Sequence, residues 1–255
     1  MISKAQVKFI ALLNQKKYRR KHLMFVAEGT KIAHDILKSS LKVHNLYATP
    51  QWLAKNTSLY ANNKLVEING VSEDEMSKIS GLTTAQDVLL LVQMPDPITD
   101  VKINDKIALA IESIRDPGNL GTIIRICDWY GINQLFCSDD CADAYNPKTV
   151  QATMGSIARV EVIYTSLKEL IGQNKERKCY MATLDGKLNI HSAMIKPPVL
   201  LVIGNEARGI SDEILSVADN TVMIPRFGKA ESLNASVAAA VLIDNLKRVS
   251  ELVKL

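Results

Sequence analysis

Three runs, VLLLV at residues 88–92, IALAI at 107–111 and VLLVI at 199–203, restrict this chain more than any other feature. None contains a polar residue, whereas a strand with one wet face would alternate apolar and polar positions. They read as strands buried on both faces, which requires helices above and below the sheet. Helical and strand-like segments do alternate around them.

In the first part, Ile10 and Leu13 share a helical face, residues 25–28 with Gly29 form a short strand and turn, and residues 30–38 carry helical spacing. Residues 43–48 are strand-like, Ser72 with Glu75 makes a capping box, and residues 87–94 are the clearest strand of this region. PDPITDVKIND at residues 95–105 breaks every period. It places a boundary near residue 100, giving domains at 1–96 and 106–255 with 97–105 as linker. Beyond it the pattern predicts strands at 107–113, 134–137, 160–164, 179–183, 199–203 and 221–224. Helices are expected at about 120–130, 166–174 and 211–218, with a closing helix from about 232. The expected class is α/β in both halves, with a parallel sheet in the second.

No apolar run is long enough to span a bilayer, and the basic cluster near the N-terminus follows the apolar stretch instead of preceding it, unlike a secretory signal. A cytoplasmic location is expected. Cys127, Cys137, Cys141 and Cys179 lack metal-ligand spacing, so reduced thiols and no metal are expected. The net charge of +4 is unevenly placed: KKYRRKH at 16–22 packs five Lys or Arg into six positions around Tyr18. Either a solvated helix end or a phosphate-contacting patch explains it.

In open α/β sheets ligands bind beyond the carboxyl ends of the strands, so the loops there carry the information. RDPGNLGTIIR (115–125) turns sharply and places Arg125 under two helical turns beyond Asn119. GNEARG (204–209) follows a fully apolar strand, and Gly204 permits close approach to the strand end. IPRFGKAESLN (224–234) runs into a helix of small residues, with Ser232 and Asn234 suited to capping it. Neither the dinucleotide-binding Gly-x-Gly-x-x-Gly fingerprint nor a phosphate-binding Gly-x-x-x-x-Gly-Lys loop is present.

Taken in order, Asn119-x-Gly121-x-Ile123-x-Arg125, then Gly204-x-Glu206-x-x-Gly209, then Ile224-Pro225 through Ser232-Leu233-Asn234 resemble the signature motifs of the SpoU or TrmH family of RNA ribose 2'-O-methyltransferases, within the SPOUT superfamily. The resemblance spans about residues 106–250. The first domain, with KKYRRKHLMFVAEG leading into an α/β unit, is similar to the L30e-like substrate-binding domain of the same family.

This resemblance implies a catalytic domain with a deep trefoil knot that binds S-adenosylmethionine. It implies cofactor contacts from Thr183, Leu184, Gly204, Asn205, Glu206, Gly209, Ile224, Pro225, Ser232, Leu233 and Asn234. Asn119, Arg125, Glu206, Ser232 and Asn234 are the implied catalytic set. The implied reaction is attack of a ribose 2'-hydroxyl on the sulfonium methyl. A guanidinium resists deprotonation, so Arg125 suits phosphate binding or alkoxide stabilisation better than the role of base. RNA contacts are expected from Lys16, Lys17, Tyr18, Arg19, Arg20, Lys21, Arg115 and Arg226, with Arg159 and Lys229 as additions. The partners implied are RNA, ribosomal in preference to transfer RNA, and a second copy of the chain. A non-catalytic RNA-binding assembly factor is the alternative. Arg226, Ala235 and Ile126-Cys127 depart from residues common in the family, and no polar group of the motifs is lost with them.

Overall fold

The computed structural model describes residues 1–61, 66–98 and 100–252, with Leu252 described by its backbone alone. The first elements are α1 (Lys4–Leu12), α2 (Lys16–His22), β1 (Met24–Glu28), α3 (Thr30–Leu37), β2 (Val43–Ala48), α4 (Pro50–Lys55), α5 (Thr57–Tyr60), β3 (Glu67–Gly70), α6 (Glu73–Ile79) and β4 (Val88–Gln93). There follow β5 (Ile107–Ile111), α7 (Pro117–Trp129), β6 (Gln134–Cys137), α8 (Pro147–Thr153), a 3-10 turn at Ser156–Ala158, β7 (Glu161–Tyr164) and α9 (Leu167–Gln173). The chain closes with β8 (Lys178–Ala182), β9 (Leu188–Asn189), β10 (Val199–Ile203), α10 (Asp212–Leu215), β11 (Asn220–Met223) and α11 (Ala235–Leu252).

Two compact units result, Met1–Asp96 with Asp143–Arg159, and Pro97–Ala142 with Val160–Leu255. The segment Asp143–Arg159 thus groups with the first unit by its contacts, although it falls within residues 106–255 of the sequence. Its side chains explain why. Tyr145 packs its ring 4.9 Å from that of Phe25, and α8 lies against β1.

In the first unit the sheet order is β1-β4-β2-β3, with β4 antiparallel to both of its neighbours and β3 parallel to β2. Residues 88–92 are buried on both faces, as their composition requires. Ile10 and Leu13 meet Val26, Tyr47, Met76, Ile79, Leu89 and Leu91 in one core. The capping box forms as expected, since Ser72 Oγ accepts from Glu75 N and a Glu75 carboxylate oxygen accepts from Ser72 N. Ser3 and Gln6 build a second box on α1 that the sequence reading did not single out.

The basic run is a helix of its own, α2, and its residues divide. Lys16, Lys17, Arg20 and Lys21 are exposed, while Tyr18 is half-buried with Lys17 Nζ 4.8 Å from its ring centroid. Arg19 points inward and is 1% exposed. Its Nη1 donates to Leu13 O at 2.8 Å and Asn14 O at 2.9 Å, and its Nη2 and Nε donate to Asp143 Oδ2 at 2.5 and 3.2 Å. The expectation of an RNA contact at Arg19 is therefore corrected: no donor faces outward, because burying a guanidinium demands a full set of internal acceptors.

In the second unit seven strands run in the order β7-β6-β5-β10-β8-β11-β9, and each pair is parallel. This is the expected α/β sheet. Every residue of β5 and β10 is buried. Ala108, Ala110, Leu200 and Val202 pack toward Leu167 and Leu170 of α9 and Ile214 of α10. The alternate residues Leu109, Ile111, Leu201 and Ile203 are equally inaccessible, and α7 lies against β6 and α11. From β5 the chain moves outward to β6 and β7, then crosses to build β8, β10 and β11 on the other side. The reversal lies between β5 and β10, where a doubly wound sheet leaves a crevice at its carboxyl edge.

Candidate active site

Because all seven strands are parallel, the loops after β5, β8, β10 and β11 leave the same edge of the sheet. After β5, Asp116 caps α7 by accepting from Asn119 N at 2.7 Å, and Pro117 takes the first helical position, where its missing N–H costs nothing. The helix therefore starts three residues earlier than expected and fixes Asn119 on its first turn.

Asn119 links the three motifs. Its Nδ2 donates to Glu206 Oε1 at 2.5 Å, and its Oδ1 accepts from Asn234 Nδ2 at 2.9 Å. Asn234 Oδ1 in turn accepts from Ser236 N at 2.9 Å and from Ser236 Oγ at 2.5 Å. One amide thus caps α11 and reaches across to the first motif. Only one orientation of each amide serves every partner, since the oxygen accepts and the nitrogen donates. Ser232 does not share this work. It is exposed and three residues before the helix, makes no hydrogen bond among the described residues, and so is not the cap that the sequence suggested.

The loop after β10 is closed by its own backbone. Asn205 N donates to Gly209 O at 3.0 Å and Gly209 N to Asn205 O at 2.9 Å. Asn205 Oδ1 accepts from Ala207 N and Arg208 N, and its Nδ2 donates to Ser113 O at 3.0 Å, tying this loop to the one after β5. A Cβ added at Gly204 would lie 2.4 Å from Gly209 C and O, which are backbone atoms with nowhere to go. Gly204→Ala is expected to lose about 1–3 kcal/mol of stability by overpacking and to open the loop. Thermal unfolding together with a calorimetric titration of S-adenosylmethionine checks this, and an unchanged melting point would contradict the close approach.

Several contributors were not anticipated from the sequence. Glu112 accepts from Ser211 Oγ at 2.6 Å and Ser211 N at 2.9 Å, pinning the end of β5 to the start of α10. Asp140 accepts from Ser113 Oγ at 2.6 Å, Ser138 Oγ at 2.7 Å and Arg115 Nη2 at 3.1 Å. Partial burial pushes the Asp140 carboxyl up, but those donors outweigh it and hold it below the ordinary aspartate range. Gly186 is a third, since its Cβ would meet the Val222 carbonyl carbon at 2.4 Å, and the Asp185-Gly186 turn dipeptide was the available signal.

After β8, Thr183 N donates to Val222 O at 3.0 Å, but Thr183 Oγ1 is buried without a hydrogen-bond partner. Buried hydroxyls are rarely left so. Nearby in sequence Leu184 is 74% exposed, and on the β11 loop Phe227 is 90% and Leu233 45% exposed. Ile224 and Pro225 are half-buried where β11 ends. Arg125 is exposed and makes no hydrogen bond or ion pair among the described residues. Arg115 is held by Asp140, and Arg226 Nη1 reaches Ala230 O at 3.4 Å. Arg159 belongs to the first unit, where it pairs with Asp35 at 3.3 Å, and the α2 cations belong there too. All four cysteines are buried and free. Among the described residues, no cluster of His, Cys, Asp and Glu has a metal-binding arrangement.

Residues 106–244 match the model of the SpoU rRNA Methylase family. The chain belongs to that family. Residues 4–90 match the MRM3-like substrate binding domain, in line with the resemblance seen at the N-terminus. Among SpoU relatives, the chain is 29% identical to the 23S rRNA (guanosine(2553)-2'-O)-methyltransferase RlmP of Bacillus subtilis, over 92% of this chain and 93% of that one. It is 26% identical to the mitochondrial rRNA methyltransferase 3 of Xenopus tropicalis, over 96% and 74% respectively. Among solved SpoU-like structures, the AdoMet-bound rRNA methyltransferase from Sinorhizobium meliloti superposes with a TM-score of 0.86 at 27% identity, covering 97% of this chain and 96% of that one.

Proposed function

We propose that this SpoU-family chain transfers a methyl group from S-adenosylmethionine to a ribose 2'-hydroxyl of ribosomal RNA. The observation that carries the reading is the hydrogen-bonded line Glu206–Asn119–Asn234, which joins all three motifs at the carboxyl edge of the sheet with Arg125 left free beside it in the chain. The residues present fit the cofactor: the unpartnered Thr183 Oγ1 offers a polar contact, and Leu184 and Leu233 present apolar surface. S-adenosylmethionine supplies an electrophilic sulfonium methyl, which needs no metal.

The chain's own task is alignment. Holding the acceptor oxygen in line removes much of the entropic barrier of a two-body displacement. The Arg125 guanidinium binds the phosphate next to the acceptor or stabilises the developing alkoxide. Asn119 and Asn234 fix Glu206 and the start of α11 so that neither drifts as charge moves. Exposed Lys16, Lys17, Arg20 and Lys21 on α2 provide phosphate contacts, with Arg115, Arg226 and Lys229 as further cations. Ribosomal RNA is favoured over transfer RNA because two relatives matched along both parts of the chain are named for ribosomal RNA alone, while others matched along the same span are named for transfer or ribosomal RNA.

The reading extends to a knotted catalytic unit that works as a homodimer in the cytoplasm. The partly exposed Ala238 and Ala240 and the half-exposed Val237 on the first turns of α11 suit close helix packing by a second copy. No helix among the described residues is long and apolar enough to cross a membrane.

The test is incubation of the purified chain with methyl-labelled S-adenosylmethionine and undermethylated total RNA, followed by separation of size classes and mapping of the label. Label on a ribose in ribosomal RNA is the expected result. Label on a base would overturn the reaction, label in transfer RNA would overturn the substrate, and no label despite cofactor binding would favour a non-catalytic binding factor.

A further inference from the structure

At the amino-terminal end of the seven-stranded sheet, away from the edge that bears the motifs, a cavity of about 920 Å³ opens between the end of α7, the start of β5 and the last turns of α11. Trp129 stands on its rim and is 84% exposed, which leaves the face of an indole open beside the cavity. Lys106, Lys196, Lys247 and Arg248 line it. The side chains of the three lysines make no hydrogen bond or ion pair among the described residues, and that of Arg248 reaches only Asn245 Oδ1, at 3.4 Å.

Two of the three acids that line the same cavity accept hydrogen bonds from other groups. Asp105 accepts from Asn133 N at 2.7 Å, Asn133 Nδ2 at 2.9 Å and Gln134 N at 3.1 Å. Asp244 accepts from Tyr130 Oη at 3.1 Å. Glu251 is left to face the four cations. Lys247 and Arg248 near a helix C-terminus would suit the helix dipole by themselves. That account does not extend to Lys106 at the start of β5 or to Lys196 before β10.

We propose that this cavity is a second RNA-binding surface, which takes a single-stranded stretch with a base stacked on Trp129 and neighbouring phosphates held by Lys196, Lys247 and Arg248. Stacking on an aromatic face beside a basic groove is how single strands are held without sequence readout. The proposal rests on the reading of RNA as the substrate. It adds a contact remote from the reacting ribose, so that an RNA long enough to reach both ends of the sheet binds more tightly than one that fills the site alone.

The test measures binding of a short single-stranded RNA of mixed sequence, fluorescein-labelled, to the full chain by anisotropy across a salt series. Trp129→Ala is expected to weaken binding about ten-fold, within the range for loss of one stacked base. Lys196→Gln with Lys247→Gln is expected to flatten the salt dependence by about 1.4 in log–log slope, about 0.7 for each phosphate contact on a single strand. Both proteins should keep the unmodified melting point and affinity for S-adenosylmethionine, since neither change touches the other edge of the sheet. Variants that bind RNA as the unmodified protein does, while that protein binds and methylates RNA, overturn the second surface and leave the function standing. An unmodified protein that binds no RNA overturns both. A Trp129→Ala change in sedimentation without a change in RNA affinity overturns the proposal in favour of a second copy as the occupant.

Discussion

Arg125→Ala should reduce methyl transfer by at least about 10²–10³-fold, the range seen when one preorganised donor to a developing oxyanion is removed. Affinity for S-adenosylmethionine should stay largely unchanged. The side chain is exposed and unpaired among the described residues, so no internal contact is lost with it and the fold should not respond. Arg125→Lys separates two roles. A lysine keeps the charge but not the planar fork, so partial recovery means that charge near the acceptor suffices, and none means that bidentate geometry is required. Normal turnover by Arg125→Ala would remove the residue from the mechanism. Single-turnover rates with saturating cofactor, alongside calorimetry, make the measurement.

The second large effect is on stability. Arg19→Ala deletes a buried guanidinium and leaves Asp143, whose side chain is 14% exposed, together with the carbonyls of Leu13 and Asn14, without their donor. Breaking one side of a buried ion pair costs about 3–5 kcal/mol, most of it the penalty of the stranded charge. Replacing both partners, Arg19→Met with Asp143→Leu, should recover a substantial part of that loss, because no charge is then left behind. Urea unfolding of the single and double variants gives the comparison. A double variant no better than Arg19→Ala would mean that the carbonyl contacts, not the ion pair, set the cost. RNA affinity should be read on the folded fraction alone, since Arg19 faces away from solvent.

Much of this molecule was legible because its strands are so apolar. The runs at 107–111 and 199–203 could be buried on both faces or not be strands at all, and both are central in the parallel sheet. Asn119, Glu206 and Asn234 were singled out by motif and do meet. What escaped was set by partners far away in the chain. Nothing local to KKYRRKH distinguishes Arg19 from Arg20, as only the position of Asp143 decides which of the two turns inward. Residues 143–159 received no assignment because α8 is short and shows no long period, and its allegiance to the first unit depends on contacts with β1. Ser232 looked like a cap because Ser and Asn cap equally well, and the choice between them fell to the residue that also reaches Asn119.

The strand order has a consequence for how the protein comes off the ribosome. β5 is central, flanked by β6 on one side and β10 on the other, and the register pairs Ile107 with Val199. During synthesis β5, β6 and β7 can assemble early, but the other side of β5 stays an open, wholly apolar edge until the segment carrying β10 emerges. At about 5–20 residues per second, that wait lasts roughly 5–20 s. An unpaired hydrophobic strand edge is a template for the wrong neighbour. Yield in cells should therefore depend on what shields that edge during translation, more than on the stability of the finished sheet.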